Sequence, residues 1–242
     1  VYRSEKKRAG PSLVLAGGIA GGVDAWRLLI DDFAPFHQVI SWDYRGLFRS
    51  NVGNRTLRPS DVRIERHAAD LALILADLEV EQIVLIGWSL GARVALEVAR
   101  VAPQRVLGFV AINGTFGHPV KHALVPLLGP LAGGAPLLLR VAESAAPNMQ
   151  RLRVRLEPLL LRGLTVDGLR LLGLVAETID VRRFSGLMHD LSKVELPALL
   201  AVVNALAEHC AETTLPALEA PALLIAGERD PFTSPADVHR TT

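Results

Sequence analysis

Five short runs in this chain are apolar almost from end to end, and stretches with helical spacing separate them over the first half. The runs are Ser12 to Ala16, Gln38 to Trp42, Gln82 to Gly87, Val106 to Ile112 and Ala222 to Ala226. A strand with one face in water alternates apolar and polar residues, whereas a strand covered on both faces is continuously apolar. Such runs, spaced by helices, predict an α/β fold with a mostly parallel, doubly wound sheet between two helical layers. Between the second and third runs, Ile64, His67, Ala68, Leu71, Ile74, Leu75 and Leu78 fall on one side at helical spacing. That pattern predicts a crossover helix from Ile64 to Leu78. A second helix is expected to start just after Ser89, to carry Val94, Leu96, Val98 and Val101, and to stop before Pro103.

With 242 residues, 50% of them hydrophobic and 21% charged, the chain can bury a core without disulfides or metals. Disordered and coiled-coil classes are excluded. A net charge of +1 lacks the basic field that nucleic acid demands, so no nucleic-acid partner is expected. Cys210 is the single cysteine, and no Cys-x-x-Cys or His-Glu-x-x-His spacing offers a metal site, so no metal is expected.

From about Gly114 to Pro216 the alternation of runs gives way to helical periods only. Residues 115–215 are therefore expected to form a helical lid inserted into a core built from 1–114 and 216–242. Ala123 to Leu139 carries no charge, but Pro126, Pro130 and Pro136 with Gly129, Gly133 and Gly134 break it, so no stable membrane span is expected. Arg151-Leu152-Arg153-Val154-Arg155-Leu156 is basic and precedes Leu159, Leu160 and Leu161. It reads as a lid helix with solvated arginines, or as a contact with an anionic membrane surface. No apolar run follows the charges of the opening segment, so no secretory signal is visible and a cytoplasmic location is expected.

The segment richest in chemical meaning is Gly87-Trp88-Ser89-Leu90-Gly91, a Gly-x-Ser-x-Gly motif between a predicted strand and a predicted helix. A serine turned so tightly out of a strand needs an unusual backbone conformation, and side chains two residues to either side would collide. The turn exposes the hydroxyl, and the first turn of the following helix aims N–H groups and a positive dipole end at charge developing beside it. The alternative is a tight glycine turn that happens to expose a serine.

On these residues the chain resembles the α/β-hydrolase superfamily, over nearly all its length except the lid. Val14-Leu15-Ala16-Gly17-Gly18-Ile19 is similar to the family's strand and oxyanion turn, with Gly17 where histidine is usual. By that match the N–H groups of Ile19 and Leu90 hold the oxyanion, and Gly18 and Trp88 border the substrate. The glycines Gly17, Gly18, Gly21 and Gly22 fit neither a dinucleotide fingerprint nor a P-loop, and no cofactor is implied. Trp42-Asp43-Tyr44-Arg45-Gly46-Leu47-Phe48-Arg49-Ser50 is similar to the family's Asp-x-Arg-Gly-x-Gly-x-Ser scaffolding loop, with Phe48 at the second glycine. Asp43 and Arg45 are expected to form a structural ion pair there.

The resemblance implies that the turn Gly227-Glu228-Arg229-Asp230-Pro231 delivers the triad acid, Asp230, with Glu228 as second choice. The family order places the histidine on the loop after the next strand, beyond Thr242. His239 follows Pro235-Ala236-Asp237-Val238, in what reads as the start of a helix. His37, His67, His118, His122, His189 and His209 read as packed or surface residues. With no methionine at Val1 and no histidine in place, the chain is expected to be a fragment lacking the last strand and helix. The run Ala222 to Ala226 would then be an exposed apolar edge, and the fragment poorly soluble and poorly active.

The activity implied is hydrolysis of an ester or related acyl bond of a small, apolar substrate through an acyl-enzyme on Ser89. Perhydrolase or cofactor-free haloperoxidase, acyltransferase and carbon–carbon hydrolase chemistry would use the same serine, and a non-catalytic binding member would leave it unused. A serine rather than an aspartate disfavours dehalogenase and epoxide hydrolase chemistry. The oligomeric state stays open.

Overall fold

The computed structural model describes residues 1–4, 10–50, 57–114, 116, 149, 166, 168, 170, 176–211, 213–228 and 230. Its centre is a six-stranded sheet: β1 (Tyr2–Arg3), β2 (Ser12–Ala16), β3 (Val39–Ser41), β4 (Ile83–Trp88), β5 (Val106–Ile112) and β6 (Ala222–Ile225). The spatial order is β1-β3-β2-β4-β5-β6, with every pairing parallel except β1 against β3. Helices α1 (Arg27–Phe33), α2 (Ile64–Asp77), α3 (Leu90–Val101), α4 (Val181–Ser192) and α5 (Leu196–Glu208) accompany it.

The continuous apolarity of the strands follows from burial on both faces. On β2, Val14 and Ala16 enter the larger core cluster, while Leu13 and Leu15 enter a smaller one on the opposite face. On β4, Ile83 and Leu85 again take one side, and Ile86 the other. Helix α2 seals the larger cluster with Ile64, Ala68, Leu71 and Leu75, and α3 adds Leu90, Val94, Leu96 and Val98. Val23, Trp26 and Ile30, from α1 and the turn before it, close the smaller cluster.

The register aligns the strands' carboxyl ends. Ala16 pairs with Gly87, Trp88 with Ile112, and Ile112 with Ile225. The chain leaves β2 for β3 on one side, then returns to lay β4 on the other side of β2. This reversal is a topological switch point at the carboxyl edge of the sheet, the place where open α/β sheets bind their ligands.

Helix α5, within the segment expected to be a lid, contributes Ala201, Val202 and Ala205 to the same core as α3. Arg93 of α3 is completely buried, and its Nη1 donates to the carbonyls of Leu206, at 3.5 Å, and His209. The last carbonyls of a helix have no partner within it and carry its negative dipole end, so a buried cation there satisfies both needs.

Besides one-residue differences at the ends of β4, β6 and α2, three details depart from the sequence expectations. The antiparallel pair formed by β1 was not foreseen, and β3 stops one residue short at each end. Arg45 does not pair with Asp43. Its guanidinium grips Asp70 of α2, with Nε 2.6 Å from Oδ2, whereas Asp43 points back into the sheet end and accepts the N–H of Val23 at 2.9 Å and of Arg49 at 3.3 Å. Two residues apart on an extended chain, the side chains leave on the same side only if the backbone stays regular, and here it turns at Arg45 and Gly46.

Among the described residues β6 is an outer strand, with Leu223 55% and Ile225 44% exposed. No described helix is long and apolar enough to cross a membrane. The uncharged run from Ala123 and the basic run from Arg151 lie outside the described residues.

Candidate active site

Ser89 joins β4 to α3 with φ 54° and ψ −115°, left-handed backbone that an L-residue adopts only under constraint. Two hydrogen bonds constrain it: its N–H donates to the Ile112 carbonyl at 2.9 Å, and its own carbonyl accepts from Ala92 N–H at 3.0 Å. The flanking glycines are demanded by contact. A Cβ on Gly87 would lie 2.5 Å from the backbone of Ala92, and one on Gly91 only 1.9 Å from the carbonyl oxygen of Ala16. The first turn of α3 therefore presses against the end of β2. Ser89 makes no capping hydrogen bond with its side chain, and its residue is half-buried.

The turn after β2 is built against the same elbow. The Trp88 indole occupies the space beside Gly18 and Gly21, where a Cβ would lie 3.1 Å and 2.6 Å from the ring. Gly21 N–H donates to the Gly18 carbonyl at 3.2 Å, and Ile19 packs on the larger core. Trp88 itself joins the smaller cluster. The far end of the turn is tied down by Asp43, which takes Val23 N–H. Phe48 has φ 47°, which accounts for the glycine of the family pattern, and its ring lies 3.0 Å from where a Gly22 Cβ would be.

Asp230 is tied to the end of β5 by a residue that sequence reasoning passed over. Asn113 donates its Nδ2 to Asp230 Oδ2 at 2.6 Å, accepts Gly227 N–H on Oδ1 at 2.8 Å, and donates its backbone N–H to Ile225 at 2.7 Å. Asp230 N–H closes the turn onto the Gly227 carbonyl at 3.1 Å. Since Ile112 receives Ser89 N–H, the backbone of Ile112 and Asn113 links the Ser89 elbow to the Asp230 turn. Glu228 is exposed. The signal that was available for Asn113 is the Asn-Gly pair at a strand end, where asparagine tolerates positive φ.

The described histidines lie elsewhere. His67 is fully buried on α2 against Tyr44, ring centroids 4.7 Å apart, and burial pushes its pKa down to about 4. His209 follows α5 half-buried, its pKa lowered by desolvation and by the charge of Arg93. Among the described residues no histidine is hydrogen-bonded to Ser89. His118, His122 and His239 lie outside them.

Comparison with known proteins gives a consistent picture. RutD of Azorhizobium caulinodans, named for carbamate hydrolysis, is 35% identical over 108 residues, 44% of this chain and 38% of that protein. RutD of Klebsiella pneumoniae is 30% identical over 152 residues, 59% of this chain and 56% of its own. The chain thus spans about half, or less, of these curated relatives. A hydrolase from Oleispira antarctica superposes with a TM-score of 0.70 at 17% identity, covering 98% of this chain and 80% of that one. The enol-lactonase from Burkholderia xenovorans superposes at 0.67 and 15% identity, covering 99% and 82%. These two likenesses concern the fold alone. The family model for the alpha/beta hydrolase fold matches residues 11–142, more than half of the chain. With its parallel sheet, its Gly-x-Ser-x-Gly elbow and that match together, the chain belongs to the α/β-hydrolase family.

Proposed function

We propose that the protein is a serine hydrolase that cleaves an ester or related acyl bond of a small substrate. The observation that carries this reading is the backbone of Ser89, held at positive φ on the carboxyl edge of the sheet, at the switch point and against the glycine turn after β2. Strain of this kind persists where surrounding structure over-determines it, and it leaves the side chain outside the hydrogen-bonding of the turn.

Ser89 Oγ attacks the carbonyl carbon while a histidine takes its proton. The developing oxyanion is met by the N–H groups of Ile19 and Leu90, the latter at the positive end of α3. Asp230 holds the histidine in the correct tautomer and stabilises its cation. The leaving group departs with a proton from the histidine, and water then releases the acid from the Ser89 ester. Trp88 shapes the site from behind by packing on Gly18 and Gly21, and Gly18 borders the cleft. The leucine-rich composition of residues 115–215 suits an apolar acyl or alkyl group. The RutD relatives, named for carbamate hydrolysis, support a hydrolytic reading.

The test is pre-steady-state hydrolysis of 4-nitrophenyl butyrate by the full-length protein. A burst of one nitrophenol per active site, absent in Ser89→Ala, is expected. Undiminished turnover by Ser89→Ala would refute the assignment.

A further inference from the structure

We infer that Asn113 positions Asp230 for its part in proton transfer, an inference that rests on the reading of Asp230 as the triad acid. Asn113 follows β5 with φ 47°, and its backbone N–H and both polar atoms of its side chain are committed to the end of β6 and the Asp230 turn. Its N–H donates to Ile225, its Oδ1 accepts from Gly227, and its Nδ2 donates to Asp230. The orientation of the amide is unambiguous, because an N–H requires an acceptor and a carboxylate requires a donor.

A carboxylate on a turn can rotate about its Cβ–Cγ bond. A charge-assisted donor at 2.6 Å on Oδ2 fixes that rotation, and with it the direction in which the other oxygen faces. Because Asn113 follows Ile112, whose carbonyl receives Ser89 N–H, the same two residues set the Ser89 elbow and the carboxylate in one frame. A displacement of about 1 Å in such a frame costs roughly a hundredfold in rate.

The experiment is a double-mutant cycle in the full-length protein with 4-nitrophenyl butyrate as substrate. Asn113→Ala is expected to lower kcat about 10- to 100-fold with KM changed by no more than about twofold. In the Asp230→Asn background the same substitution should cost less than about twofold further, because the group it positions is gone. Asn113→Asp keeps the acceptor for Gly227 N–H and removes the donor, so it is the variant to use if the alanine does not fold. It is expected to lower kcat and to move the histidine limb of the kcat/KM profile to higher pH by about one unit, through the added negative charge. Full activity in Asp230→Asn would overturn the assignment of the acid and this inference with it. A large loss in Asp230→Asn alongside unimpaired Asn113→Ala, or equal losses from Asn113→Ala in both backgrounds, would overturn this inference alone. An Asn113→Asp enzyme with unchanged kcat and pH profile would do the same.

Discussion

Gly91 has no room for a side chain beside Ala16: a Cβ there would lie 1.9 Å from the Ala16 carbonyl oxygen and 2.7 Å from that of Gly17. Both atoms belong to backbone at the end of a central strand, so neither can yield cheaply. Gly91→Ala must push α3 away from β2, and it should destabilise the fold by about 3 kcal/mol, the upper end for overpacking. Urea denaturation gives the number, and a shift under about 1 kcal/mol would show that the elbow has slack.

Ser89 predicts the opposite sign. Its positive φ costs about 1 kcal/mol or more for any residue with a Cβ, and glycine relieves that cost. Ser89→Gly should therefore abolish hydrolysis yet raise stability by about 1 kcal/mol, read as a higher urea midpoint at unchanged m-value. Lower stability in Ser89→Gly would mean that the strain is not there.

Arg93→Met removes the buried cation that donates to the carbonyls of Leu206 and His209. A carbonyl left without its donor costs about 1–3 kcal/mol, less where it is part-buried as these two are, so the variant should lose about 2–4 kcal/mol. Hydrogen exchange should show the loss concentrated in the last turn of α5. Uniform loosening across the sheet, with α5 unaffected, would contradict the capping role.

The His67 imidazole makes stability depend on pH. Burial holds its pKa near 4 against a reference of 6.5, with the charge of Arg45 pulling the same way and that of Asp70 opposing it. The unfolded chain binds the proton first, so this contribution is fully present above about pH 6.5 and is lost as pH falls toward 4. By pH 4 the loss approaches about 3 kcal/mol. Unfolding of the wild-type protein should take up about one more proton in this window than unfolding of His67→Leu. Parallel stability curves for the two would contradict it.

How far the sequence could be read depended on the distance over which each feature is determined. The bounds of β2 and β5, Ser12–Ala16 and Val106–Ile112, were legible because apolar runs and their turn residues are local. So was the face of α2, since His67 buries with Leu71 at helical spacing. Tyr2–Arg3 is too short to carry any period. Asp43 and Arg45 looked like partners because they are close in sequence, but the backbone turn at Arg45 and Gly46 leaves one on the Val23 amide and the other on α2. Asn113 and Arg93 were passed over because their partners lie 117 and 116 positions away. An arginine inside an amphipathic helix ordinarily reads as solvated, and only the docking of α5 buries this one.

The most direct measurement is mass spectrometry of the full-length protein after reaction with a fluorophosphonate. The account predicts one adduct per chain, on Ser89, formed at a rate that falls at least tenfold in Asp230→Asn. An unmodified Ser89, or an adduct on another residue that survives in Ser89→Ala, would contradict it.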